Sequence, residues 1–257
     1  MIYKKVILVI IILISFISLA QSGDNNNPID SLIVKNKPQL QFNKKQLIVP
    51  AVLIGYGILG LRSDQLESFN FQIREEVKEN IDRKFTIDDF SQYAPAASVY
   101  ALSAFGIKGK NNFRDRTVIL ATSYLIMGIA VNSLKRTFKV ERPDGSSFNS
   151  FPSGHTATAF MGAELLYQEY KNVSIWYGIS GYFVATGTGA FRMYNNRHWL
   201  TDVVAGAGIG ILSTKAAYWL YSSINRLLGS KKHTNKKSTF IPYYDGKQVG
   251  FGLVSTF

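Results

Sequence analysis

Residues 151–170 read FPSGHTATAFMGAELLYQEY. Pro152, Ser153 and Gly154 form a turn, and a serine at that place is a favoured helix cap. From Thr156 onward the residues are small or apolar over a helical length. The reading is a helix that starts at Ser153–Gly154 and carries a titratable ring, His155, in its first turn. Backbone N–H groups at a helix start point toward a bound anion, and Gly154 removes the side chain that would block a close approach. Alone, His155 could equally be an incidental loop histidine. The flanking sequence decides.

Four similar segments surround this one: 93–107, 117–134, 174–191 and 203–224. All are rich in Gly, Ala, Ser and Thr, which let helices approach closely, as in membrane bundles. A soluble bundle would bury such segments too. Mean hydropathy is close to neutral, and Glu164 and Lys215 interrupt two segments. The expected fold is all-α: an antiparallel bundle of five to six helices, embedded in a membrane, with a short C-terminal β-hairpin.

The ends of the chain differ from the middle. Lys4 and Lys5 precede an uncharged apolar run ending in Ser18-Leu19-Ala20, the pattern of a secretory signal peptide over residues 1–20. Residues 21–45 are a polar linker broken by Pro28 and Pro38. The apolar run 46–61 is shorter than the roughly 20 residues a straight span needs. Leu66, Phe69, Phe71, Ile73, Val77 and Ile81 then recur at helical spacing among charges, which predicts a surface amphipathic helix. Thr86 is placed to cap the next helix, with Asp88 and Asp89 in its first turn. The helical domain closes at residue 228. A basic linker and a hairpin about Asp245-Gly246 occupy 229–257.

Composition narrows the chemistry. The 257 residues contain no cysteine, so disulfides, thiolate chemistry and Cys-based zinc sites are excluded. A net charge of +12 suits an anionic partner. No nucleic-acid module is present, and nucleic acid is not an expected partner.

Three polar clusters lie at ends of the apolar segments: KRTFKVERP (135–143), FPSGH (151–155) and RMYNNRHWLTD (192–202). If consecutive helices run antiparallel, short connections bring all three to one face. Lys135, Arg142 and Arg192 then supply three positive charges, and guanidinium forks match phosphate oxygens. His198 and Asp202 are four apart, on one face of a helix. The carboxylate can hold one ring nitrogen protonated and leave the other free to attack or to accept a proton. His155 is a second histidine, available as an acid. The two histidines and Asp202 could also ligate zinc, but three neighbouring cations oppose a metal and favour an anion.

The pattern Lys135…Arg142-Pro143, then Pro152-Ser153-Gly154-His155, then Arg192…His198…Asp202 resembles the type 2 phosphatidic acid phosphatase (PAP2) superfamily. That group includes lipid phosphate phosphatases, bacterial class A acid phosphatases and vanadium haloperoxidases. The resemblance implies that His198 attacks phosphorus to form a phosphohistidine and that Asp202 orients and stabilises His198. His155 protonates the leaving oxygen and later activates water. Lys135, Arg142, Ser153, Gly154 and Arg192 hold the phosphoryl oxygens. No metal or other cofactor is implied. Phe191 stands where the family often has Ser, which predicts altered pocket lining and retained activity. The implied substrate is a phosphorylated membrane lipid, with lipid A first among candidates that include phosphatidylglycerol phosphate, phosphatidic acid and undecaprenyl pyrophosphate. A soluble periplasmic acid phosphatase and a non-enzymatic anion-binding envelope protein are the alternatives. The basic stretches 108–116 and 231–237 are expected in the cytoplasm, which sets the active face toward the periplasm of a bacterial envelope. With the signal removed, that arrangement requires 46–61 not to span as a separate helix; otherwise the leader stays attached.

Overall fold

The computed structural model describes residues 42–79, 86–227, 238–244 and 249–255. The expected signal peptide, nearly all of the polar linker, Ile81, the basic stretch 231–237 and the Asp245-Gly246 turn lie outside these residues. The described residues fall into two units with a boundary between Leu220 and Tyr221.

A 3₁₀ turn, Lys44–Leu47, is capped by the Asn43 side chain and leads into α1 (Ile48–Leu59). Then follow α2 (Asp64–Glu79), α3 (Ile87–Ser91), α4 (Ala94–Ala104), α5 (Phe113–Phe138), α6 (Gly154–Tyr170), α7 (Ile175–Tyr194) and α8 (Leu200–Leu227). Each of the five apolar segments forms one helix, α4 to α8. The apolar run 46–61 and the amphipathic stretch form α1 and α2, joined through a bend of 92°. The described α-helices therefore number eight against the expected five to six, because α1, α2 and the five-residue α3 add to the five apolar segments.

The centre of the bundle is α6. Ala157, Ala159, Met161, Ala163 and Leu165 have no exposed surface, although they point in different directions around the helix. A helix buried all round must be enclosed on all sides, and α4, α5 and α7 all pack on it. On another side α8 comes so close that a Cβ on Gly206 would lie 2.5 Å from the Ser153 carbonyl oxygen. A Cβ on Gly210 would lie 2.3 Å from that of Ala157. Glycine at these two positions is what permits the contact. Met127, Val131 and Leu134 of α5 pack with Ala157 and Met161 of α6 and Ile209 of α8.

The outer faces are different. Leu125 and Ile129 of α5 and Ile175, Trp176, Ile179 and Phe183 of α7 are exposed. Among the described residues two helices, α5 with 26 residues and α8 with 28, are long and apolar enough to cross a membrane. The bent pair α1–α2 meets the same test taken together.

In the second unit, β1 (Ser238–Tyr244) and β2 (Val249–Ser255) pair antiparallel, with Ser238 opposite Ser255 and Tyr244 opposite Val249.

Candidate active site

The site begins where α7 ends. Residues 195–199 reverse the chain, with Asn196 in the left-handed region (φ 57°) and the Arg197 N–H donating to the Arg192 carbonyl at 3.0 Å. His198 lies in this reversal and not on a helix, so the expected shared helical face with Asp202 is corrected. Asp202 is in the first turn of α8, and its Oδ2 accepts the Trp199 N–H at 2.9 Å. That bond folds the chain back over the helix start. It leaves His198 Nδ1 3.5 Å from Asp202 Oδ2, so the pair still forms.

Ser150 completes the arrangement. Its hydroxyl donates to Asp202 Oδ2 at 2.5 Å and lies 3.4 Å from His198 Nδ1. With the carboxylate facing Nδ1, that nitrogen carries the proton and Nε2 keeps its lone pair. His198 is 3% exposed and Asp202 is fully buried. Burial pushes the His198 pKa down to about 4. Asp202 opposes this shift, while Lys135 and Arg192 reinforce it. His198 is therefore neutral from mildly acidic pH upward.

The cations come from three elements. Lys135, in the last turn of α5, donates from Nζ to the carbonyls of Asn149 and Ser150. Arg142 Nε donates to Asn149 Oδ1 at 2.9 Å. These three bonds shape the loop before α6, which is also held by the Ser150 N–H on the Val140 carbonyl at 2.9 Å. These partners are neutral acceptors, so neither charge is cancelled by them. Burial and the nearby Arg192 and Arg197 hold the Arg142 pKa below its usual value, against Asp144 and Asp202. Arg197 pairs with Asp144 at 3.0 Å.

Ser153 caps α6: its side chain accepts the Thr156 N–H and lies 2.8 Å from the Thr156 hydroxyl. Its own N–H donates to the Asp202 carbonyl at 3.0 Å. Ser153 thus ties α6 to α8, and its hydroxyl is turned inward. Gly154 opens the helix, with Val131 3.9 Å from where a Cβ would stand.

Arg192 and His155 meet a helix whose importance the sequence did not disclose. Arg192 Nη1 donates to Asp88 Oδ2 at 2.5 Å, and Asn195 donates to Asp88 Oδ1 at 2.9 Å. His155 Nε2 is 2.9 Å from Asp89 Oδ1. Thr86 makes no side-chain cap bond, contrary to expectation. Asp88 and Asp89 were expected only as first-turn acids of a helix, yet each holds a residue of the motifs. Their one sequence signal is adjacency; their partners are 104 and 66 residues away. Asn149 and Ser150 were also missed, since their roles arise from the loop backbone.

The structure brings together Lys135, Arg142, Arg192, His198 and Asp202, which perturb one another electrostatically, and Arg192 links them to His155. Arg192 Nε and Asp202 Oδ1 are buried without a hydrogen-bond partner. Donor atoms of Asp88, Asp89 and His155 lie within 4.8 Å of one another, a spacing a metal could use. Arg192 on Asp88 opposes a cation there, and the excess of donors fits an anion. A cavity of about 390 Å³ opens beside the site at the α1–α2 bend, lined by Ile58, Leu61, Phe71, Phe138, Trp199 and Asp202 among others.

The model of the PAP2 superfamily matches residues 116–226. Over 141 residues the chain is 43% identical to the lipid A 1-phosphatase of Porphyromonas gingivalis, a match covering 54% of this chain and 32% of that one. Over 104 residues it is 31% identical to the bacitracin transport permease protein BcrC of Bacillus licheniformis, covering 35% and 49%. The matched parts thus span a third to a half of these relatives. Two solved structures are similar. One is a transmembrane PAP2 type phosphatidylglycerolphosphate phosphatase from Bacillus subtilis (18% identity, TM-score 0.44, 72% of this chain and 99% of that one). The other is Aquifex aeolicus LpxE (20%, 0.39, 70% and 98%). With two helices of spanning length, the chain is a bacterial membrane protein. The stretch that matches the PAP2 superfamily model, α5 to α8, carries all three motifs, including His155 and His198.

Proposed function

We propose that the chain is a metal-independent phosphatase acting on a phosphomonoester of a membrane lipid. The observation that carries this is the pairing of buried His198 with Asp202 beside two cations, Lys135 and Arg142, that rest on neutral acceptors. His198 Nε2 attacks phosphorus, and the bond to the leaving oxygen breaks as His155 gives that oxygen its proton. Asp202 stabilises the charged ring of the phosphohistidine. His155 then takes a proton from water, whose oxygen displaces His198 and releases inorganic phosphate. Lys135, Arg142 and Arg192 stabilise the charge that spreads over the phosphoryl oxygens. The Gly154 end of α6 faces the same anion, and Ser153 holds that end in place.

Lipid A is the leading substrate. The 43% identity to a lipid A 1-phosphatase supports it, as does a cavity reaching Asp202 with Ile58, Leu61, Phe71 and Phe138 among polar residues in its wall. The active face is toward the periplasm. A signal peptide over 1–20 and the domain limits 46–228 and 229–257 complete the proposal.

The test is phosphate release by the purified full chain and by His198→Ala, with EDTA, from lipid A, phosphatidylglycerol phosphate and p-nitrophenyl phosphate in detergent. Release from a lipid by the wild type alone supports the proposal. Release from the soluble ester only points to an acid phosphatase, and no release from folded protein overturns the enzyme reading.

The pH dependence has a definite sign. His198 must be neutral, and its pKa near 4 sets the rising limb of kcat/KM. His155 must be protonated, and burial together with Arg192 lowers its pKa below 6.5, partly offset by Asp89 and Asp88. The expected profile is a bell with its optimum on the acid side of 6.5. An optimum above pH 8 contradicts this assignment.

A further inference from the structure

We propose that Asp89 is the positioning carboxylate of His155, so that the site contains two histidine–carboxylate pairs, one for attack and one for proton transfer. The proposal rests on the reading of His155 as the acid.

The geometry is specific. Asp89 Oδ1 lies 2.9 Å from His155 Nε2. That contact commits Nε2 to the carboxylate and leaves Nδ1 to exchange a proton with the leaving oxygen. The pair at His198 is the reverse: Nδ1 faces Asp202 and Nε2 is free. Two imidazoles at one site, each held by a carboxylate through a different nitrogen, have their roles set by their partners.

Asp89 is on a short helix, which by itself holds nothing in place. Its neighbour supplies the anchor. Asp88 is 1% exposed and bound on both oxygens, by Arg192 and Asn195. Ser91, at the other end of α3, is 2.8 Å from the Thr188 hydroxyl of α7. With α3 pinned at both ends to α7, Asp89 is delivered to the first turn of α6. One pair of adjacent carboxylates thus fixes both a phosphate-binding arginine and the acid.

The charged groups facing His155 are Asp89 and Asp88 from α3 and Arg192 from α7. Asp89 favours the protonated ring and Arg192 opposes it. Removing the Asp89 charge leaves Arg192 and burial unbalanced, so His155 loses its proton at lower pH. Asp89 is itself half exposed, so its replacement by Asn tests the charge without unfolding the bundle.

The experiment compares the full chain in detergent with Asp89→Asn, Asp89→Glu, His155→Ala and the double variant Asp89→Asn/His155→Ala. It measures phosphate release from lipid A and p-nitrophenyl phosphate across pH, and histidine titration by NMR. Asp89→Asn is expected to lower kcat at pH 7 about tenfold, part of the 10² to 10⁴ a general acid contributes. KM should change less than about twofold, and the alkaline limb should move to lower pH. Asp89→Glu should restore most of the activity, and Asp89→Asn should cost nothing further once His155 is Ala. The His155 resonance should titrate lower in Asp89→Asn. An increase in activity overturns the proposal, since it marks the carboxylate as an obstacle to substrate. An unchanged His155 titration, or an undiminished effect in the His155→Ala background, also overturns it. If the wild type releases no phosphate, the enzymatic reading fails, and the NMR titration still reports whether Asp89 governs His155.

Discussion

The two ends of α6 both carry buried ionisable groups, and they are built on opposite principles. At its C-terminal end Glu164 accepts from Lys215 at 2.7 Å, from Gln168 at 2.6 Å and from the Tyr182 hydroxyl. Glu169 accepts from Asn111 through both backbone and side chain and from Tyr218 at 2.5 Å, with Arg116 Nε at 4.0 Å. Each carboxylate there has a cation and a set of neutral donors. At the N-terminal end only some charges are matched: Arg192 pairs with Asp88 and Arg197 with Asp144. Lys135 and Arg142 rest on neutral acceptors, and Asp202 leaves one oxygen without a hydrogen bond. Buried charge inside a bundle therefore does not mark a site; cations resting on neutral acceptors do. The far end is a structural weld, and the near end, on the proposed function, is an anion receptor.

The sharpest way to break this contrast is to remove one group from each end. His198→Ala is expected to lower kcat by about 10⁴-fold or more, as loss of a nucleophile that acts as a unit with its partners does. Its thermal stability in detergent should change little, because His198 makes only long contacts to Ser150 and Asp202. Glu164→Ala should do the reverse. It strands Lys215, and breaking a buried pair costs about 3–5 kcal/mol, read as a large fall in Tm. The surviving folded protein should keep its kcat. If Glu164→Ala were stable and inactive, the division between weld and receptor would be wrong.

Glycine spacing along α8 gives a finer test. A Cβ at Gly206 meets the carbonyl of Ser153, the cap beside His155; one at Gly210 meets Ala157, a turn further on. Either Gly→Ala change overpacks the contact, at about 1–3 kcal/mol. Only Gly206→Ala is expected to lower kcat strongly, by up to about 10²-fold, since small displacements of a reacting group are that costly. Equal kcat losses in the two variants would mean that α6 moves as a rigid rod.

The same contrast explains what could be read in advance. Glu164 and Lys215 looked like interruptions in apolar segments, because a sequence shows a charge without its partner across the bundle. The three motifs were legible since each lies beside a helix end, where short connections fix the side of the bundle it occupies. His198 and Asp202 were paired correctly for an incorrect local reason: the four-residue spacing spans a helix start and not a helix face. Asp88 and Asp89 were invisible as site residues, as nothing local to Thr86–Ser91 distinguishes an acid that stabilises a helix start from one that reaches another helix. Ser150 and Asn149 act through a loop whose path is set by Lys135 and Arg142, so no pattern of spacing could disclose them.

Two serine caps supply the smallest and most discriminating prediction. Ser174 caps α7 at the far end, accepting the Trp176 N–H at 3.3 Å, and Ser153 caps α6 at the site. As caps they are equivalent, and Ser→Ala at either should cost about 1 kcal/mol, measured as a modest fall in Tm. Ser174→Ala should leave kcat and KM untouched, because nothing joins that cap to the cations. Ser153→Ala also frees Thr156 and loosens the start of α6 where it meets Asp202. A fall in kcat at Ser153 alone would show that the cap is part of the anion receptor. Identical behaviour of the two variants would reduce Ser153 to a helix cap, leaving phosphate binding to the three cations and the backbone of Gly154.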